Sequence, residues 1–277
     1  MARLVHLSDL HFGAHDPRLV EAVEREIHEL APALVVVSGD FTQRARTEQF
    51  KEACEFLERL RDAGHEVLGV PGNHDVPLYD VLRRFLSPLT RYRRYIDESL
   101  CPHIELPGVA VLGINTARSL TFKDGRISES QVEFIRETFA RTSEETVRVL
   151  VTHHPLFAIP VGEGLERPLG RQKLALDAIE RAGVDLLLAG HAHHASVHHA
   201  SDLVTRAGGA LVIQAGTATS TRVREQNQSF NVIEVDDGQI AVTVESWDGR
   251  AFRPGDAAGY ARQDSKWRII EAREPAR

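Results

Sequence analysis

Acidic, amide and imidazole side chains recur along this chain in five short clusters. They are Asp9 and His11 in SDLH, Asp40 in SGD, Asn73, His74 and Asp75 in PGNHD, His153 and His154 in THHP, and His191 and His193 in GHAH. One aspartate two residues from one histidine says little. Five such clusters say more, because oxygen and imidazole donors without thiolate suit manganese, iron, zinc or cobalt. Two carboxylates, one amide oxygen and four imidazoles would fill most positions around two divalent ions. Two ions ~3.5–4 Å apart can clamp a phosphate, lower the pKa of a bridging water and neutralise charge in an in-line displacement.

Each cluster follows directly after an apolar run of strand type. The runs are RLVHLSD at 3–9, ALVVVSGD at 33–40, EVLGVPGNHD at 66–75, VRVLVTHHP at 147–155 and VDLLLAGHAH at 184–193. Helical spacing separates them. Apolar residues 19, 23, 27 and 30 share one face, as do Phe50, Cys54, Leu57 and Leu60, with Gly64 as the stop. Ser128 with Gln131 forms a capping box for a helix to about Ala140, and 171–183 reads as another helix. VAVLGIN at 109–115 adds a strand. ALVIQAG and SFNVIEVDDGQIAVTVESW read as strands, the latter folded at its Asp-Asp-Gly turn. Alternating strands and helices imply an α/β fold. Ligands in such folds collect beyond the carboxyl ends of the strands, so residues spread over most of the chain would meet along one edge.

The 277 residues suit one α/β domain, expected over 1–249 with a helical cap at 76–107 and a C-terminal extension at 250–277. The net charge of −7 disfavours a duplex-binding surface, so a nuclease reading is weak. Cys54 and Cys101 form no CxxC pair, and Cys54 reads as a buried, inert thiol. No run approaches the ~20 apolar residues of a membrane span, and the N-terminus lacks a secretory signal. These features read as a cytoplasmic protein.

The five clusters, in this order, resemble the calcineurin-like metallophosphoesterase superfamily, whose signature is D-x-H, G-D, G-N-H-D, a strand-end His and G-H-x-H. The layout is most similar to the bacterial class III cyclic-nucleotide phosphodiesterases and related phosphodiesterases. The resemblance implies a four-layer αββα sandwich, two mixed β-sheets flanked by helices, with the strands of 210–248 in the second sheet. It implies that Asp9, His11 and His193 hold one ion, that Asn73, His153 and His191 hold the other, and that Asp40 bridges them with one oxygen on each. Alternate residues of GHAH could serve the two ions if the backbone were extended there. The implied reaction is hydrolysis of a small phosphodiester by a metal-bridging hydroxide, extending to 3′,5′-cyclic nucleotides. His74 would stand beside the metals, positioning the phosphoryl group or protonating the leaving oxygen. Asp75 would orient the His74 ring.

The substrate is less legible than the centre. Arg44, Arg46 and His154 are the candidate substrate contacts. The cap candidate carries Arg83, Arg84, Arg91, Arg93 and Arg94, which would either face an anion or lie on a solvated helix pair. A lipid-linked nucleotide pyrophosphatase, a broad-specificity phosphomonoesterase and a non-catalytic binding module are the other readings. A homodimer is compatible with all of them. In the histidine-rich stretch AGHAHHASVHH, His194 is expected to face away or support a ligand, and His198 and His199 to lie at the surface. His15 is the remaining histidine nearest the first cluster.

Overall fold

The structure is a computed structural model that describes residues 1–120, 124–161, 164–166, 168–199, 209–221, 227–263 and 266–273. The first half runs β1 (Ala2–Leu7), α1 (Pro17–Leu30), β2 (Leu34–Val37), α2 (Thr47–Asp62), β3 (Val67–Gly69), α3 (Val81–Leu86), α4 (Thr90–Tyr95), β4 (His103–Leu106), β5 (Val109–Gly113) and α5 (Glu129–Phe139). Then come β6 (Val147–Val151), β7 (Ile159–Val161), β8 (Gly164–Glu166), α6 (Gln172–Ala182), β9 (Leu186–Ala189), β10 (Ser196–His199) and β11 (Leu211–Gln214). The chain ends in β12 (Ser229–Asp236), β13 (Gln239–Trp247), β14 (Phe252–Gln263) and β15 (Lys266–Arg273).

Two mixed sheets carry the fold. One has the order β15-β14-β13-β12-β1-β2-β3, the other β10-β11-β9-β6-β5-β4, and β7 and β8 form a small separate ribbon. Alternation along the strands places the layers. Leu4, Leu34, Val36 and Leu68 turn inward onto Val111, Val149, Leu186 and Leu188 of the other sheet. Val5, Val35 and Val37 turn outward onto Leu19, Val23, Ile27, Phe50 and Leu57 of α1 and α2. On the far side Leu112, Leu150 and Leu187 meet Ile135, Phe139 and Ile179 of α5 and α6. This is the expected αββα order of layers. Truncating one such buried ring, Phe50 for example, to alanine would cost about 3–5 kcal/mol.

Local chemistry sets the helix ends. Asp16 caps α1 by accepting from Arg18 N, and the Ser128–Gln131 capping box opens α5. The hairpin of β12 and β13 turns at Asp237 and Gly238, both with positive φ, the backbone that a two-residue turn needs.

Three elements depart from expectation. The hairpin of 229–247 pairs with the free edge of β1, Val5 opposite Val232, so only β11 of the 210–248 strands lies in the second sheet. The 250–277 segment, expected as an extension, supplies two long strands whose Tyr260 and Trp267 enter the intersheet core. Small residues and Pro254 interrupt its alternation, which hides those strands from pattern reading. The 76–107 segment holds two six-residue helices and then the edge strand β4, so it is only partly helical. Cys54 is half-buried rather than buried.

Candidate metal centre

All five clusters stand on loops that leave the carboxyl ends of β1, β2, β3, β6 and β9. Backbone bonds lock neighbouring loops together: Asp9 N donates to Gly39 O at 3.1 Å, His11 N to Asp40 O at 2.9 Å and Gly190 N to His153 O at 3.0 Å. Thr217 and Thr219, just past β11, donate their hydroxyls to Asp9 O at 2.8 Å and Leu10 O at 2.7 Å.

The backbone here is bent rather than extended. Asp9, His11, Asp40, His191 and His193 all have positive φ, between 50° and 72°. Non-glycine residues adopt that region at a cost of roughly 1 kcal/mol or more each, and such strain gathers at functional sites. In GHAH it is therefore two left-handed bends, not an extended run, that aim the imidazoles. Two glycines are demanded by close approach. A Cβ on Gly72 would lie 2.1 Å from Asp40 Oδ1, and one on Gly190 would collide with Ser8 Oγ and lie 2.9 Å from Asp9 Oδ2.

Asp9 is fully buried and its two oxygens have separate tasks. Oδ2 accepts from Ser8 Oγ at 2.6 Å and His191 N at 2.9 Å. Oδ1 makes no hydrogen bond, yet His193 Nε2 lies 3.1 Å away and His11 Nε2 3.5 Å away. The two imidazole nitrogens are 3.2 Å apart. Donors sharing one ion at about 2.1 Å, at right angles to tetrahedral angles, stand roughly 3.0–3.4 Å apart. The three atoms form a triangle close to that size, with sides of 3.1, 3.2 and 3.5 Å.

A second set of donors lies beside it, gathered around His153 Nε2. His153 Nε2 is 3.1 Å from Asn73 Oδ1, 3.3 Å from His191 Nδ1 and 3.4 Å from Asp40 Oδ2. His153 Nδ1 lies 2.8 Å from the carbonyl of Ser38, a contact that suits a proton on Nδ1 and leaves Nε2 with its lone pair. Asp40 stands between the two donor sets, its Oδ2 3.9 Å from His11 Nε2 as well. Its Oδ1 is occupied by the backbone N–H of His74 at 2.8 Å. Asp40 Oδ2 is thus the oxygen near both sets. The residues present fit two divalent cations.

Charge supports the same use. Burial raises the Asp9 and Asp40 carboxyls, but His193 beside Asp9 and His153 beside Asp40 outweigh it and hold both well below the usual range. Burial would lower His153, and the Asp40 carboxylate reverses this to about 9. Burial, with the charge of His153 added, takes His191 down to about 3. Two ionised carboxylates in a dry pocket call for positive charge.

His74 is half-exposed at the rim. Its ring meets that of His11 edge-on at 4.9 Å, and its Nδ1 lies 2.8 Å from Gln43 O and 3.2 Å from Gln43 Nε2. Gln43, not Asp75, orients this ring. Asp75 is 1% exposed and ties the loops together: Oδ2 accepts from Gly72 N and Phe41 N, and Oδ1 from Thr42 N and Thr42 Oγ1. Burial and the nearby Asp40 charge push its carboxyl up to about 7.

The remaining candidates scatter. His154 is buried against Thr116, its ring 4.8 Å from that of His191, and joins His153 and His191 in one group of close donors. Arg44 lies over the Tyr79 ring at 5.5 Å, and Arg46 is exposed before α2. Arg84 donates to Ser119 O and Pro77 O, and Arg91 to Ala45 O, so these two serve the backbone. His15 accepts from Gly13 N, and His194 is half-buried outside the donor groups. His198 and His199 lie on β10, and the expectation for their side chains falls outside the described residues. Ser8, Ser38, Gln43, Thr217 and Thr219 were not singled out from sequence. Their shared signal is position: each is a polar residue on the same loops or, for the threonines, on a further strand-end loop, TATST.

A family model described as calcineurin-like phosphoesterase matches residues 2–195. Over 130 residues the chain is 30% identical to the DNA double-strand break repair protein Mre11 of Saccharolobus solfataricus, covering 41% of this chain and 33% of that one. The chain thus spans about a third of that relative's length. Over 207 residues it is 25% identical to the glycerophosphodiester phosphodiesterase GpdQ of Enterobacter lignolyticus, covering 69% and 70% of the two chains. The purple acid phosphatase PPD1 from yellow lupin seeds has a similar fold, with a TM-score of 0.73 at 13% identity over 95% of this chain and 54% of that one.

Proposed function

The chain belongs to the calcineurin-like phosphoesterase family, and we propose that it is a metal-dependent phosphoric ester hydrolase acting on phosphodiesters, among them 3′,5′-cyclic nucleotides. The observation that carries this is the pair of donor sets facing one oxygen of Asp40. In this reading Asp9, His11 and His193 hold one divalent ion, and Asn73, His153 and His191 the other. Bound ions neutralise phosphoryl charge and acidify the attacking water.

The chain's own residues do the rest. Nδ1 of His74 is held at the Gln43 carbonyl, so Nε2 is the nitrogen left to exchange a proton with a leaving oxygen, on a ring beside His11 and Asp40. Asp75 keeps the loop carrying His74 in register with Phe41 and Thr42. A monoester dianion is best met by several guanidinium groups in bidentate reach. Arg84 and Arg91 are committed to backbone carbonyls and Arg44 to Tyr79, which favours the singly charged diester.

The test compares kcat/KM for bis(p-nitrophenyl) phosphate and p-nitrophenyl phosphate with manganese at neutral pH. The diester should be preferred, and His74→Ala should lower kcat by ~10²–10⁴ with metal content retained. Preference for the monoester would refute the diester reading. Failure to hydrolyse 3′,5′-cyclic AMP would remove only the cyclic-nucleotide part.

A further inference from the structure

The helix α3 is turned inside out. Val81, Leu82, Phe85 and Leu86 recur at the spacing that puts them on one side, and that side faces water: Leu82 is 72% exposed and Leu86 74%. Its arginine Arg84 is 3% exposed and points inward to Pro77 O and Ser119 O. Leu78 and Tyr79 before the helix are exposed as well, and so is Leu120, adjoining the carbonyl that Arg84 grips. Monomeric proteins rarely leave so many large apolar side chains together in water without a partner for them.

Charge says what that partner is. Of the five arginines in residues 76–96, Arg84 and Arg91 are committed to backbone carbonyls and Arg83 pairs with Asp80 at 3.6 Å, while Arg93 and Arg94 are exposed on α4. Arg44 lies over the Tyr79 ring, so a guanidinium borders the apolar side chains, and Arg83 is half-exposed on the helix beside its ion-pair partner Asp80. Apolar side chains flanked by cations suit the boundary between anionic headgroups and acyl chains. A second copy of this chain fits worse, because a two-fold contact would bring the same arginines together. The segment begins one residue past Asp75, so whatever it docks on lies beside the metal loops.

We propose that α3, with Leu78, Tyr79 and Leu120, is a peripheral docking surface for an anionic lipid bilayer. Docking there sets His74 and the metal loops at the lipid surface. The proposal goes beyond the hydrolytic reading and has a separate readout.

The experiment is flotation of the full chain with phosphatidylcholine vesicles made with and without phosphatidylglycerol. Wild type should float with the anionic vesicles, less at high salt, and not with phosphatidylcholine alone. Leu82→Ser with Phe85→Ser should weaken partition by about tenfold or more. The same variant should keep its kcat/KM on bis(p-nitrophenyl) phosphate, which also reports that it folds. Leu120→Ser, outside the helix, should weaken partition in the same direction. No flotation, or equal flotation of wild type and variants, would overturn the proposal. So would a dimer in solution that the double variant abolishes without any vesicle binding. A raised KM for an alkyl phosphodiester in the variant, with no vesicle binding, would overturn it too and assign the face to the substrate.

Discussion

Gly72→Ala tests how closely the loops are interlocked. A Cβ there would lie 2.1 Å from Asp40 Oδ1 and 2.3 Å from Asp40 N. Ordinary non-bonded contact begins at about 3.5 Å, so the overlap is roughly 1.2–1.4 Å. The carboxylate alone cannot relieve it, because the backbone nitrogen is struck as well. Moving Asp40 drags its carbonyl, which accepts from His11 N, and the adjoining Gly39 carbonyl, which accepts from Asp9 N. It also breaks the bond from His74 N to Asp40 Oδ1. Overpacking of this kind costs about 1–3 kcal/mol of stability, and a displacement near 1 Å at reacting groups costs about 10² in rate. The assays are urea unfolding, metal content after dialysis and diester turnover. Gly64→Ala is the control. Its φ is +91° and a Cβ would meet nothing within 4 Å, so about 1–2 kcal/mol of stability should go while turnover stays. Gly72→Ala with full metal content and turnover within twofold of wild type would refute the interlocking of Gly72 with Asp40.

Two further outcomes follow from named contacts. Ser8→Ala removes the 2.6 Å donor to Asp9 Oδ2 and leaves that oxygen only the His191 N–H, so manganese affinity measured by calorimetry should fall about 10–100-fold, and an unchanged affinity would dismiss the support assigned to Ser8. Glu245 is raised from 4.5 to about 7 by burial and by the charge of Glu26, so the folded state holds its proton more tightly and stability falls as pH rises from about 4.5 through 7. Glu245→Gln should therefore add about 1–2 kcal/mol at pH 8, discounted for the carboxylate's residual contact with water, and nothing below pH 4.5. Equal urea midpoints at pH 8 would contradict it.

The site was legible in the sequence where its residues follow strands. The polar clusters SDLH, SGD, PGNHD, THHP and GHAH directly after apolar strands place their side chains at the carboxyl ends of parallel neighbours in the two sheets. What the sequence did not carry was backbone sign and atom choice. Nothing in the letters Asp9, Asp40 or His191 signals a left-handed residue, since that conformation is imposed by loops from other parts of the chain. Nor do they say that Asp40 keeps one oxygen for His74 N, or that Gln43 rather than Asp75 holds the His74 ring. The hairpin of 229–247 was legible from its turn, but its partner β1 lies at the other end of the chain, and no local pattern encodes such a pairing.

The most direct test is metal stoichiometry of the reconstituted protein and of Asp40→Ala. Asp40 Oδ2 is the atom that faces both donor sets. Wild type should retain two divalent ions per chain and hydrolyse bis(p-nitrophenyl) phosphate, whereas Asp40→Ala should retain fewer than two and lose turnover. Two tightly held ions and normal hydrolysis in Asp40→Ala would contradict the shared-oxygen centre.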